Sequence, residues 1–213
     1  MSEFQAWYCR TKGIKVVENL KRNFFNAVYF ETSEAAADYI CNQVSTGMQV
    51  AFGGSMTIRK MGIRERVVKL GAVLIDHGVP GLTEEERLQE MRRELTSDLF
   101  ISSTNAVTTG GALINVDGYG NRVAAMIFGP KKVIIVAGIN KVVSSETAAF
   151  ERLEQTAGPM NMKRLDRETP CTHDAVCHDC SSVARGCRAY TILRKRPAYT
   201  PMDVIIVGES MGM

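Results

Sequence analysis

Met48-Gln-Val-Ala-Phe52, followed by Gly53-Gly54-Ser55-Met56-Thr57, is the stretch that decides the fold. Val50, Ala51 and Phe52 form a short apolar run of the kind a buried strand uses, and the two glycines end it abruptly. Ser55 then supplies a hydroxyl at a helix N-cap, and a helix is expected to about Leu70. The alternation extends in both directions. Upstream, the β-prone Ala27–Phe30 precedes Thr32-Ser33-Glu34, which caps a helix with Ala36, Ile40 and Val44 on its inner face. Downstream, Ala72–Ile75 reads as a strand, and a capping box from Thr83 to Glu86 opens a helix that is expected to bury Leu88, Met91 and Leu95. Glu84–Arg87 and Glu90–Arg93 are placed as i,i+3 pairs on its wet face. Strands alternating with helices imply a parallel sheet covered on its faces.

Outside this frame, Glu3–Phe25 has apolar residues at near-helical spacing and reads as one amphipathic helix, interrupted at Gly13. The middle is dense in strands: Leu99–Ser103, Ala112–Asp117, Arg122–Phe128 and the strongly apolar Val133–Gly138. Gly118-Tyr119-Gly120-Asn121 tolerates positive φ, so Ala112–Asp117 and Arg122–Phe128 are expected to pair as a hairpin. A helix from Ser145 should stop at Gly158-Pro159, and Val204–Val207 is the last strand. Residues 1–213 read as one α/β domain, with a cysteine-rich segment, 168–190, inside it.

Composition narrows the function classes. The 213 residues are 45% hydrophobic with a mean hydropathy of −0.07, so a core can form, and no apolar run is long enough to span a bilayer. No basic start with an apolar stretch opens the chain, which points to the cytoplasm. The net charge of +3 is small and spread out, and aromatics are only 7%, which argues against a nucleic-acid surface. Phe4, Trp7 and Tyr8 on the first helix are candidates for a homodimer contact. His77 before Gly78 reads as a solvated loop histidine.

Three places could carry chemistry. Gly53, Gly54, Ser55 and Thr57 sit at a strand-to-helix junction, where free backbone N–H groups and hydroxyls can cradle an anion. The same residues would serve equally as a tight turn with a cap. Thr104, Asn105, Thr109, Gly110, Gly111, Asn121 and Arg122 belong to a stretch of small polar residues and glycines that suits a ligand pocket, with Arg122 as a bidentate partner for a carboxylate or phosphate. Asp117 is the one acid there, and a turn role accounts for it as well. The third place is Cys171-x5-Cys177-x2-Cys180-x6-Cys187. Four thiolates can hold zinc or a [4Fe–4S] cluster, the spacing does not choose between them, and His173 and His178 lie within reach as substitutes. Disulfides or free thiols are the alternatives.

Asn105-Ala-Val-Thr108, Leu113-Ile-Asn-Val-Asp117-Gly-Tyr-Gly-Asn-Arg122-Val-Ala-Ala125, Phe128-Gly-Pro-Lys-Lys-Val133 and Gly138-Ile-Asn-Lys-Val142 together resemble the LUD (lactate utilization) domain family. Phe52-Gly-Gly-Ser-Met-Thr57, Pro159-Met-Asn161 and the Thr-Pro-Cys…Cys-x2-Cys…Cys tail resemble a short stand-alone branch of it. The resemblance implies a Rossmann-like, mostly parallel sheet with an antiparallel hairpin, similar to the NagB/RpiA/CoA-transferase group. It implies a pocket built from Gly53–Thr57, Thr104-Asn105 and Thr108–Gly111. It also implies a role beside iron–sulfur partner proteins in oxidising a 2-hydroxy acid such as lactate. The nucleophilic glutamate of CoA transferases has no counterpart in a matching context. The leading expectation is therefore a protein that binds a small anionic metabolite, with a metal at Cys171, Cys177, Cys180 and Cys187. The alternatives are an isomerase or transferase of a phosphorylated metabolite with Asp117 as base, and a non-catalytic sensing module with structural zinc.

Overall fold

The computed structural model describes residues 2–213. A capping box between Ser2 and Gln5 opens α1 (Glu3–Arg22). The helix runs through Gly13 without the expected interruption, because that residue lets the ring of Tyr29 lie against the helix backbone. The chain continues through β1 (Asn26–Phe30), α2 (Ser33–Cys41), β2 (Gln49–Phe52), α3 (Met56–Lys60), α4 (Ile63–Lys69), β3 (Val73–Ile75) and α5 (Glu84–Glu94). It then forms β4 (Leu99–Ser103), β5 (Ala106–Thr108), β6 (Leu113–Asp117), α6 (Asn121–Ile127) and β7 (Lys132–Gly138). A 3₁₀ turn at Ile139–Lys141 leads to β8 (Val142–Val143) and α7 (Glu146–Arg152), and a π turn at Leu153–Ala157 leads to α8 (Gly158–Arg164). The short α9 (Cys171–Asp174), β9 (Ala189–Leu193) and β10 (Met202–Val207) complete the order.

Six strands form a wholly parallel sheet in the order β1-β10-β7-β4-β2-β3. Its registers run Val50↔Leu99, Ile101↔Ile134 and Ile135↔Val204. The central strands are buried on both faces, so their residues divide between two cores. Val133, Ile135 and Ala137 meet Val16, Val17 and Leu20 of α1, while Ile134 and Val136 belong with Ala36, Ile40, Ile63 and Val67 of α2 and α4. A second sheet, β8-β5-β6-β9, carries the antiparallel hairpin, with Val107 opposite Leu113. The fold class is the expected one: α/β, mostly parallel, with an antiparallel hairpin.

Local departures have local reasons. The hairpin joins β5 to β6 and does not join 112–117 to 122–128. Gly120, at φ +86°, turns the chain into α6, where Val123 and Met126 are buried three residues apart on one helical face. Both Asp117 carboxylate oxygens are spent on this turn, accepting from Gly118 N (2.8 Å) and Val123 N (3.1 Å). The helix expected from 56 to 70 breaks at Gly62 (φ +62°), giving α3 and α4. Gly158-Pro159 does not end helical structure, because proline at the start of α8 has no intrahelical N–H to lose. α5 has its capping box and buries Met91, but Leu88 is 45% exposed, and Glu90–Arg93 is the pair that forms on its surface.

Candidate functional site

β2, β4 and β7 end together at Phe52, Ser103 and Gly138, and the residues after them face one cavity of about 430 Å³. β2 continues outward to β3, whereas β4 continues to β7 and β10 on the other side. The opening therefore lies at the point where strand order reverses, at the carboxyl ends of parallel strands. Of the expected ligand residues, Gly54, Ser55, Thr57, Thr104, Asn105, Asn121 and Arg122 line this cavity.

Four others do not. Gly53 is packed against β4, where a Cβ would come within 2.5 Å of Ser102 Oγ. Thr109, Gly110 and Gly111 form the β5–β6 turn and dock on the end of α1, with their carbonyls accepting from Asn19 Nδ2 (2.8 Å) and Asn23 Nδ2 (2.9 and 3.1 Å). Their small size serves close packing there. α3 is only five residues long and Ser55 Oγ accepts from Ile58 N, so the strand-to-helix turn is mainly a capped turn.

Arg122 lines the cavity but is already engaged. Nη1 donates to Ser103 O (3.1 Å) and Asn115 Oδ1 (2.9 Å), and Nη2 to Asn105 Oδ1 (3.1 Å) and Val116 O (2.8 Å). Its Nε stands 3.8 Å from Asp117 Oδ2. The guanidinium thus clamps β4, the turn after β4 and β6, and it contributes charge to the cavity with no N–H of Nη1 or Nη2 left over for a ligand.

The strongest chemical feature is a residue sequence reading passed over. Lys141, at the end of the 3₁₀ turn, is 6% exposed and lines the cavity. Its Nζ lies 2.9 Å from Ser103 Oγ, 3.0 Å from Thr57 Oγ1 and 3.1 Å from Thr104 O. Buried lysines ordinarily have a carboxylate partner, and Lys141 forms no ion pair among the described residues. Burial, reinforced by the nearby charges of Arg152 and Arg122, pushes its pKa down to about 7. Only the apolar run before it, Lys132–Gly138, hinted that this lysine would follow a strand into the interior.

His77 is likewise not the solvated loop residue expected. It lines the cavity, and its Nδ1 is paired with the fully buried carboxylate of Glu94, which also accepts from Asn121 Nδ2 at 3.2 Å. Burial alone would lower the imidazole pKa, but the hydrogen bond and charge of Glu94 outweigh it and raise the value above the ordinary range. The pair is an oriented imidazole, the arrangement used for proton transfer.

Around the rim stand Arg164, Arg167, Arg185 and Arg188. With Lys141 and Arg122 they make six basic side chains against the single acidic side chain of Asp117 among the described lining residues, and Arg185 is itself paired with Asp179 at 2.7 Å. Arg164 and Arg167 have only neutral partners, Asn161 Oδ1 and Tyr119 Oη. The nearly neutral sequence thus concentrates positive charge at one place.

The four cysteines border a second, much smaller cavity of about 20 Å³, which shares Met162, Arg185, Gly186 and Cys187 with the first. All are free thiols. Burial pushes the Cys187 thiol up, with the other three cysteines adding to the effect. No group of three or more His, Cys, Asp or Glu among the described residues stands in metal-holding geometry. His178, expected as a substitute ligand, is paired with Asp174 at 2.7 Å.

The fold is thus a parallel α/β sheet with a basic cavity at the carboxyl ends of its strands. Residues 14–207 match the LUD domain family, and the chain belongs to it. Among solved structures, a DUF162 family protein from Deinococcus radiodurans is similar over 93% of this chain and 98% of its own, at 13% identity and a TM-score of 0.52. Ribose 5-phosphate isomerase from Plasmodium falciparum overlaps 53% of this chain and 52% of its own at 16% identity and a TM-score of 0.34. eIF2B beta from Chaetomium thermophilum overlaps 54% and 44% at 17% identity and a TM-score of 0.38. No curated protein sequence matches the chain. No helix among the described residues is long and apolar enough to cross a membrane.

Proposed function

We propose that this LUD-domain protein binds a small organic anion of the 2-hydroxy- or 2-oxo-acid class, and acts as a subunit of, or accessory to, lactate-type oxidation. The observation that carries the reading is the charge of the 430 Å³ cavity: six basic side chains line it against one acidic side chain, Asp117, and although Arg185 is paired with Asp179, the partners of Arg164, Arg167 and Arg188 among the described residues are neutral. Such a lining favours an anion and disfavours a neutral or cationic ligand by direct electrostatics. Arg164 and Arg167, which lack a carboxylate partner, would take the ligand's charge at the rim. His77, held by Glu94, would give or take the proton of a substrate hydroxyl.

The cysteines would hold a metal beside this cavity. Four thiols about one space suit a soft ion, and a volume near that of one or two waters favours a single ion such as zinc over a four-iron cluster. Loss of protons from Cys171, Cys177, Cys180 and Cys187, with closure of the irregular segment, would complete the site. A single ion would staple the rim, and electron transfer would then rest with iron–sulfur partner proteins. The exposed Phe4, Trp7 and Tyr8 of α1 support a second copy of the chain as a further partner.

Thermal-shift and calorimetric titration with lactate, pyruvate and inorganic phosphate tests the reading. Stabilisation by at least one carboxylate, lost in Arg164→Ala/Arg167→Ala, is the expected result. No stabilisation by any of them would remove it. Elemental analysis of untagged protein prepared without oxygen tests the metal: about one zinc per chain supports a staple, bound iron with visible absorption supports a cluster, and neither metal removes the site.

A further inference from the structure

The surroundings of Lys141 point to more than a fixed positive charge. An ammonium donates three hydrogen bonds, and this one faces three oxygens of two kinds: a carbonyl, Thr104 O, that only accepts, and two hydroxyls, Ser103 Oγ and Thr57 Oγ1. Hydroxyls donate as readily as they accept. Thr57 Oγ1 can donate to Met211 O at 3.4 Å while accepting from Nζ, and Ser103 Oγ has a second acceptor, Thr104 O, at 3.3 Å. The cluster therefore satisfies both protonation states. In the charged form Nζ donates to all three oxygens. In the neutral form it donates to Thr57 Oγ1 and Thr104 O, and Ser103 donates to its lone pair. Rotation of the Ser103 hydroxyl onto Thr104 O then releases the lone pair from its hydrogen bond, and a turn about the terminal side-chain bonds of Lys141 directs it away from Ser103 Oγ and into the cavity. The charges facing it, Arg152 and Arg122, both favour the uncharged amine.

We propose that Lys141 is a nucleophilic amine that condenses with the carbonyl of a 2-oxo acid held in the cavity. The Nζ lone pair forms a bond to the carbonyl carbon, and the displaced π pair takes up a proton from the nitrogen to give a carbinolamine. The carbinolamine hydroxyl then takes up the second proton of the nitrogen and leaves as water with the C–O bonding pair, while the nitrogen lone pair closes the C=N bond, so one imine and one water form and no oxidant or reductant is consumed. The inference rests on the anion-binding reading and deepens it, because the arginines would bring the carboxylate of the oxo acid to the amine. With its low pKa, a roughly thousandfold larger share of Lys141 is free amine at pH 7 than of an ordinary lysine.

The test is reductive trapping on the full chain. Protein is incubated with pyruvate and cyanoborohydride, and the adduct is located by peptide mapping, while pyruvate binding is measured separately by calorimetry. Pyridoxal phosphate with borohydride serves as a second, anionic aldehyde probe. One adduct on Lys141 is expected, protected by lactate and rising in rate through pH 7. Lys141→Arg should take none, and mapping of the wild type keeps the test valid if that variant folds poorly. Pyruvate binding without modification of Lys141 would overturn the amine chemistry and leave the anion site standing. Labelling confined to exposed lysines such as Lys131 would also overturn it. No binding of pyruvate or of lactate, with Lys141 unmodified by either probe, would overturn both readings.

Discussion

Replacing Lys141 with methionine is expected to change how stability depends on pH. Burial holds the folded-state pKa near 7, against about 10.5 for a free lysine, so between those values the unfolded chain binds more protons than the folded one. Stability due to this group therefore rises with pH, by at most about 1.4 kcal/mol per unit. Below pH 7 the charged amine costs the fold roughly 4–5 kcal/mol on this reckoning, and the cost is lifted by about pH 10.5. Half-buried thiols and phenols, such as Cys187 and Tyr39 with raised pKa values, act oppositely over part of the same range, because their folded forms hold protons longer. The informative quantity is thus the difference between wild type and Lys141→Met in urea unfolding, followed from pH 6 to 10. That difference should grow in favour of the wild type by roughly 4 kcal/mol. A difference that stays constant across the range would refute the claim that Lys141 is buried without a counter-charge.

His77 gives the opposite slope. Its folded-state pKa is raised, so its contribution is complete below the unfolded value of about 6.5 and is lost as pH rises through the folded value; His77→Asn should lose more stability at pH 5.5 than at pH 9, measured by thermal unfolding. Arg122→Met should destabilise by roughly 3–5 kcal/mol even without ligand, since it strips a buried cation from four acceptors; an unchanged melting temperature would contradict its role as a clamp. Arg164→Ala with Arg167→Ala should leave the fold intact and weaken carboxylate binding about tenfold or more, as loss of charged hydrogen bonds of ~1.5 kcal/mol or greater implies. If four thiolates hold zinc, chelation should release it together with a loss of order in 168–190, seen as faster proteolysis there.

The parallel sheet was legible because its signals are local: an apolar run, a glycine pair and a capping hydroxyl around Gly53, repeated along the chain. The same local signals misled at 118–128. Gly118-Tyr119-Gly120-Asn121 has hairpin residues, and only the packing of Val123 and Met126 on one face selects a helix. Thr109-Gly110-Gly111 looked like a ligand loop because small polar residues suit pockets and close packing alike, and contact with α1 decides between them. The site was half legible. Gly54, Ser55, Thr57, Thr104 and Asn105 follow the ends of apolar strands, a position legible in sequence, and with Asn121 and Arg122 of the polar stretch they line the cavity. Lys141, His77 with Glu94 and the rim arginines were not, because their significance lies in burial and in partners 17 to 84 positions away.

Calorimetric titration with lactate and with its uncharged amide, lactamide, puts the central claim most directly to the test, because the two ligands share a shape and differ in charge. The account predicts saturable binding of lactate and at least tenfold weaker binding of lactamide. Equal affinities, or binding of the amide alone, would contradict a cavity built for an anion.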